Sequence, residues 1–403
     1  MPKPVMIRPE DVERVVGAMP ENTSNARSYF RQEKLKNSTH IAASELMREY
    51  GNVPVITRGD TGVVPEHGVS VSDIVPMPIE IDDKISAVHM DELSRATAMG
   101  RNQIIDEYLA EHADMVRNTV NALCCQAHSG KIDYMMKSIG GTSRYVVNYG
   151  AVKKISFPKT LAKATLGDVV RYLGMLKEAV TKNGIGGPGE FVVAGDVYAR
   201  FSDLLITANR PDMIKDGYLI VGSFRVLEDN DSYYDLDASG NKISKSLCGV
   251  GQIVYRAING GQKLLYLKLD DVVQREAVPI YSFTVSNEDQ RGDKIYTKSK
   301  PFPLINTKAI AWGEFKEQQY TVTFSVSGEN GTLEATANGS KISTGAKVTA
   351  GSTIIFTAKP AGSYKVDTWS GDSAAELTDL GGDQKSIEVS ADVKVQVSFK
   401  SAG

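Results

Sequence analysis

DELSRATAMGRNQIIDEYLAEHADMVRNTVNALCCQAHS, residues Asp91 to Ser129, is the stretch on which the reading of this chain turns. Ile104, Ile105, Tyr108, Leu109, Met115, Val116, Thr119, Val120 and Leu123 recur at three- and four-residue spacing, which predicts one apolar face of an α-helix. Ile105, Leu109, Val116 and Val120 are the core contacts expected along that face. Arg101, Asp106, Glu107, Glu111, Asp114 and Arg117 fall on the other. Gly130 follows the last apolar turn, where a left-handed C-cap belongs. At the α-helical rise the regular part is about 40 Å long. A helix of that length with one wet face is not a membrane span. It is a strut that needs a sheet along its apolar side.

The rest of the composition narrows the class. A chain of 403 residues exceeds one ordinary core, so two to four domains are expected. Hydrophobic content of 41% and charged content of 24% are those of soluble globular protein. The net charge of −3 gives no reason to expect nucleic acid as the main partner. Met1 to Arg14 contain no apolar h-region, so no signal peptide is expected, and no apolar run is long enough to span a membrane.

Chemistry is sparse. The cysteines are Cys124, Cys125 and Cys248, an odd number without spacing, which points to a reducing compartment at synthesis. Cys124 and His128 share a helix face, but no second pair completes a metal site, so the thiols are expected to be buried core residues. His40, His67, His89, His112 and His128 show no metal spacing. Asp235 to Asn241 begins like a calcium loop, yet Ser246 stands where the bidentate carboxylate belongs, and a polar hairpin turn is the better reading. Arg58-Gly59-Asp60 and Arg291-Gly292-Asp293 are integrin-type tripeptides by letter alone. Gly184 to Gly189 lacks the Lys-Ser/Thr of a phosphate loop. No catalytic residue, cofactor or metal ligand is assigned, and the chain is not expected to be an enzyme.

Residues 1–50 have short helical fragments, at Glu10–Val16 and Ser44–Tyr50, in polar sequence that suits an arm lying on a neighbour. Val53 to Met90 is rich in β-formers with Gly and Pro between them. It reads as a long two-stranded excursion turning near Glu66-His67-Gly68, and because isolated hairpins are marginal it needs another subunit's surface. Val63, Val64, Val69 and Val71 are its expected inter-subunit contacts. Lys131–Val147 predicts a second hairpin about Gly140-Gly141. Thr165–Lys182 and Val197–Thr207 predict helices, and Glu190–Ala194 and Tyr218–Leu227 strands. Asp229–Ser246 predicts a hairpin, and Gln252–Ala257 with Lys263–Leu269 a strand pair around Gly260-Gly261. Strands return over residues 280–315. From Glu317 onward short alternating strands (Tyr320–Val326, Gly331–Thr336, Lys347–Val348, Thr353–Lys359, Lys385–Val389, Val393–Phe399) predict a separate all-β domain.

This order, with the segments Val53–Asp91, Asn102–Gln126, EFVVAGDVYARFSDLL, GYLIVGSFRVL and KSKPFPLINTKAIAWGEF, resembles the major capsid proteins of tailed bacteriophages, in particular the lambda-like capsid protein E family with the Hong Kong 97-type fold. The resemblance covers roughly residues 20 to 317. It implies an α+β fold with an N-terminal arm (1–50), an extended loop (51–90), a peripheral domain with a long spine helix (91–165 and 270–317) and an axial domain (166–269). Residues 318–403, through AKPAGSY and WSGD, resemble the divergent internalin-B-type, Ig-like repeat, with Trp369 as a core aromatic.

The family implies a structural protein of the virion, made in the host bacterial cytoplasm. Its copies close as hexamers and pentamers into an icosahedral shell around double-stranded DNA, without specific binding to it. Scaffolding protein, portal and a cement protein are the implied partners. The C-terminal domain would face outward, for shell reinforcement or for contact with host or glycan. The competing reading is a bacterial cell-surface adhesin.

Overall fold

The computed structural model describes residues 7–20, 24–41, 74–85, 88–89, 92, 95, 98–138, 141–237, 240–271, 273–274, 276–287, 292–317 and 319–402. Contacts divide the chain into one unit of residues 1–156 with 165–314 and a second of 157–164 with 315–403.

The first unit carries helices α1 (Pro9–Ala18), α2 (Asn25–Ser28), α3 (Ala98–Ala127), α4 (Leu166–Thr181) and α5 (Gly195–Thr207). Its strands are β1 (Glu33–Lys36), β2 (Ile79–Lys84), β3 (Lys131–Ser138), β4 (Gly141–Asn148), β5 (Lys153–Thr160), β6 (Gly189–Val193), β7 (Ile214–Lys215), β8 (Tyr218–Val221) and β9 (Phe224–Glu228). They continue with β10 (Tyr233–Leu236), β11 (Lys242–Lys245), β12 (Gln252–Ala257), β13 (Lys263–Leu267), β14 (Tyr281–Asn287), β15 (Gly292–Ser299), β16 (Pro301–Leu304) and β17 (Ile310–Lys316), with β5 from Phe157 and β17 from Phe315 counted in the second unit. A seven-stranded sheet runs β5-β17-β12-β6-β9-β8-β7; smaller sheets run β1-β13-β16 and β14-β15-β2, and β3-β4 and β10-β11 are hairpins.

Local chemistry explains these elements. α4 begins with a capping box: the Thr165 hydroxyl accepts the Asp168 amide at 3.3 Å and the Asp168 carboxylate accepts the Thr165 amide at 3.0 Å. Its apolar row, Val169, Tyr172, Leu173, Leu176 and Val180, is buried. α3 stops where expected, with Gly130 at φ +84°, a conformation only glycine adopts cheaply.

Three expectations are corrected. Tyr218–Leu227 is not one strand: Gly222, at φ +64°, turns it into the β8–β9 hairpin. β12 and β13 do not pair with each other. Both are nearly continuous buried runs, which need a neighbour on each side, and they find them in different sheets: β12 between β6 and β17, β13 between β1 and β16. Residues 24–36, expected to lie on a neighbour, are built into their own subunit: β1 pairs parallel with β13, and Ala26, Tyr29 and Phe30 are buried.

The second unit is a two-sheet β structure of β18 (Gln319–Ser327), β19 (Gly331–Ala337), β20 (Ser340–Ile342), β21 (Ala346–Thr349), β22 (Thr353–Pro360), β23 (Tyr364–Ser370), β24 (Thr378–Gly381), β25 (Gln384–Glu388) and β26 (Val393–Ser401). The sheets run β21-β18-β26-β23 and β20-β19-β22-β25-β24. Val322, Ile354, Phe356, Ile387 and Val395 form its core. β20, β23 and β24 escape sequence reading because their exposed, polar residues lack the alternation that marks a half-buried strand.

Candidate functional site

α3 organises the first unit. Leu109, Val116 and Val120 are buried, and Ile105 is half-buried. Near its start the helix packs on Val12 and Val15 of α1, where Ile105 and Leu109 meet them, and on Ile85 and Ile295 beside the β14-β15-β2 sheet. Arg14 of α1 reaches Asp106 at 2.7 Å, so one member of the expected wet face is an inter-helix anchor. Met115 is 45% exposed, not core: the buried row runs Leu109, Ala113, Val116, Val120, Leu123, and position 115 lies beside it.

His112 is buried in the same helix. Its Nδ1 lies 2.8 Å from Thr297 Oγ1 and its Nε2 3.5 Å from Asp83 Oδ2, while Thr297 Oγ1 is 2.8 Å from Ser282 Oγ. One side chain thus ties α3 to β15, β14 and β2. The readable signal was its register, three and four residues from Leu109 and Val116.

The strand β2 is paired with β15 from Ile79↔Ser299 to Lys84↔Lys294 and is no free hairpin arm. Val63, Val64, Val69 and Val71 lie outside the described residues. So do Ser44–Tyr50 and Arg58-Gly59-Asp60. Ile41 and Ile74 pair through two backbone hydrogen bonds of 2.9 and 2.8 Å.

Residues 24–31 are anchored by polar groups that sequence reading did not single out. The Ala26 amide donates to Asp231 Oδ2 at 2.7 Å, and Asn25 Nδ2 to the Glu228 carbonyl at 2.6 Å. Tyr29 Oη donates to the Ala257 carbonyl at 3.0 Å. Arg256, wholly buried, donates to the Asn25 carbonyl at 2.6 Å and to Glu190 at 3.2 Å, with its guanidinium 5.2 Å from the Tyr29 ring centre. Trp312 Nε1 donates to the His128 carbonyl at 2.9 Å. These partners lie far apart in sequence, so no local spacing could reveal them.

A second buried charge joins two hairpins. Asp235 receives Arg144 at 2.9 Å and Lys245 at 2.8 Å. Burial alone would raise its pKa, but those two bonds win and hold it near 2. Within the Asp235–Asn241 stretch, Asp235 and Leu236 end β10, and the Asp237 carboxylate accepts the Asn241 amide at 2.8 Å.

Clefts are open among the described residues of this unit. One of about 410 Å³ is lined by Lys131, Arg144, Lys154, Tyr233 and Trp312. Another, about 490 Å³, is lined by Met77, Leu123, Met135, Met136 and Tyr145. The three cysteines are buried, with their thiols pushed up by burial and so unreactive. Among the described residues no group of three or more His, Cys, Asp and Glu side chains could hold a metal, and no helix is long and apolar enough to cross a membrane. In the second unit Trp369 is half-buried against the core, with Lys385 Nζ 5.9 Å from its ring centre.

Residues 14–312 match phage major capsid protein E, most of the chain and all of α3. The chain belongs to the phage major capsid protein E family. Among solved structures, a protein assigned as the capsid protein of an E. coli CFT073 prophage aligns with a TM-score of 0.55 at 10% identity, covering 78% of this chain and 100% of that one. That likeness shows the fold. A phage-related protein of Bordetella bronchiseptica RB50 aligns at 0.42 and 12% identity, covering 77% and 98%. The procapsid of satellite phage P4 aligns at 0.38 and 9% identity, covering 76% and 98%. No curated protein matches the chain. This capsid E protein therefore has the α+β phage capsid fold, builds a multi-subunit capsid shell and is a component of the virion. Residues 313–403 lie beyond the family match.

Proposed function

We propose that this capsid E protein closes as hexamers and pentamers into the icosahedral head of a tailed bacteriophage, around double-stranded DNA held without specific contacts. The observation that carries the reading is the family match over residues 14–312. Synthesis is in the host cytoplasm, a separate scaffolding protein and a portal act in assembly, and a cement protein is a further partner. The protein is structural and catalyses no reaction. Residues 51–90 act as the extended loop, with Val63, Val64, Val69 and Val71 burying apolar surface on a neighbour. Residues 1–50 are the arm, of which 24–36 are held on their own subunit, 91–165 with 270–317 the peripheral domain and 166–269 the axial domain. Stability is then collective, because each contact is repeated around the shell.

The C-terminal residues 318–403 are read as an outward, Ig-like module that reinforces the surface or contacts host or glycan. What supports this is a core of their own, around Val322, Ile354 and Phe356, in residues beyond the family match.

The deciding experiment is negative-stain electron microscopy with sedimentation of the expressed chain, alone and with the head genes of its phage. Rings or closed shells are expected. Their absence even in co-expression overturns the reading.

A further inference from the structure

Residues 24–36 are held by groups whose protonation pulls in opposite directions. On one side stands His128, wholly buried at the end of α3. Its Nδ1–H donates to the Cys124 carbonyl at 2.7 Å, which leaves Nε2 as a lone pair facing Arg256 Nη1 at 3.5 Å. The ring packs against Tyr29 and Phe30 of the held segment, with centroids 5.1 and 5.7 Å away. A proton on Nε2 would set a second cation against Arg256 in a dry site. Burial and Arg256 accordingly bring the imidazole pKa down to about 3.

On the other side stand Asp229 and Asp231, in the connector between β9 and β10. Asp231 accepts the Ala26 amide of the segment, and Asp229 accepts the amides of Asp231 at 3.0 Å and Cys248 at 2.7 Å. Burial pushes Asp229 up to about 6 and Asp231 in the same direction. Among the described residues, the other charged and titratable groups facing this core include Arg256 with Glu190, Arg31 on Glu190 at 2.9 Å, Arg27 with Glu33 at 2.9 Å, Tyr29, Tyr255, Tyr266 and the three cysteines. Burial raises Tyr29 and the thiols, so they stay neutral on acidification.

We propose that residues 24–36 form a proton-linked latch, in which charging of His128 loosens the segment on acidification while neutralisation of Asp229 and Asp231 tightens it. The signs follow from linkage. His128 is neutral when latched and takes a proton near its ordinary 6.5 when freed, so the latched state loses ground as pH falls below that value. Asp229 binds its proton more readily latched than freed, so the latched state gains as pH falls through about 6 towards its ordinary 3.8. Freeing the segment uncovers the connector, because Asn25 bonds both Glu228 at the end of β9 and Asn230 in the connector.

The test is hydrogen–deuterium exchange on the full chain at about pH 7.5 and about pH 5, corrected for intrinsic exchange, with α4 and α5 peptides as the reference for global folding. In H128Q only the acids remain, and opening of residues 24–36 should fall about 10-fold on acidification. In the D229N/D231N variant only the imidazole remains, and opening should rise about 30-fold. If H128Q loses protection throughout, H128N, whose amide also donates towards the Cys124 carbonyl, is read in its place. Responses of the same sign in the two variants, or of the reversed signs, overturn the latch.

Discussion

Val116 is 2% exposed on the buried row of α3. Val116→Asp should cost at least about 4 kcal/mol, read as loss of cooperative unfolding and of assembly together. A variant that still forms shells would mean that the face is wrong. Asp235 is the opposite case, a buried charge with its partners in place. Its carboxylate, held near 2 against an ordinary 3.8, contributes stability above the latter value that is lost as pH falls through the former. That contribution is about 2 kcal/mol at neutral pH. Acid titration of the wild type and Asp235→Asn by circular dichroism should differ by that much at pH 7 and converge in strong acid. The two residues also mark what sequence can convey. Val116 was readable because its meaning lies in its neighbours three and four places away. Asp235, Arg256 and His128 were not, because each is defined by partners brought near only by the fold, and beforehand they look like solvated charges or a scattered histidine.

Elements were legible wherever period and punctuation agreed. α3 and α4 combine a helical apolar row with a cap, and β3–β4 alternates about its glycines. Caps should then be measurable. Thr165→Ala removes the hydroxyl that accepts the Asp168 amide and should lower thermal stability by about 1 kcal/mol. Gly130→Ala is worse on two counts: the φ of +84° disfavours it, and its Cβ would run into the Gly150 carbonyl oxygen. A loss of about 2 kcal/mol or more is expected in denaturant unfolding. Pairing was less legible than the strands themselves. β12 and β13 are separated by a glycine turn and look like a hairpin, but their buried runs carry no information about which neighbours will flank them. The β8–β9 turn was missed because two apolar runs hid a glycine and a serine between them.

For the whole molecule, the architecture was readable only through order: arm, excursion, long helix, hairpin, α/β segment, returning strands. No short motif carries it, and the composition is that of any soluble protein. The fate of residues 24–36 shows the limit, since their polar setting hid Tyr29 and Phe30, which bury them in their own subunit. At this scale the decisive variant is a chain ending after residue 317. If the C-terminal module is an addition to the shell, that chain should still form shells, with lower resistance to heat or shear, by microscopy and light scattering. Failure to assemble would make the module part of the assembly machinery.

One topological detail bears on use. β18 and β26 run parallel, from Val322 beside Val393 to Ser327 beside Ser398. The chain therefore begins the module at Gln319 and leaves it at Ser401 near opposite ends of the same sheet, separated by roughly 30 Å of strand. A peptide fused after Ser401 is thus carried at the end of this sheet opposite to Gln319.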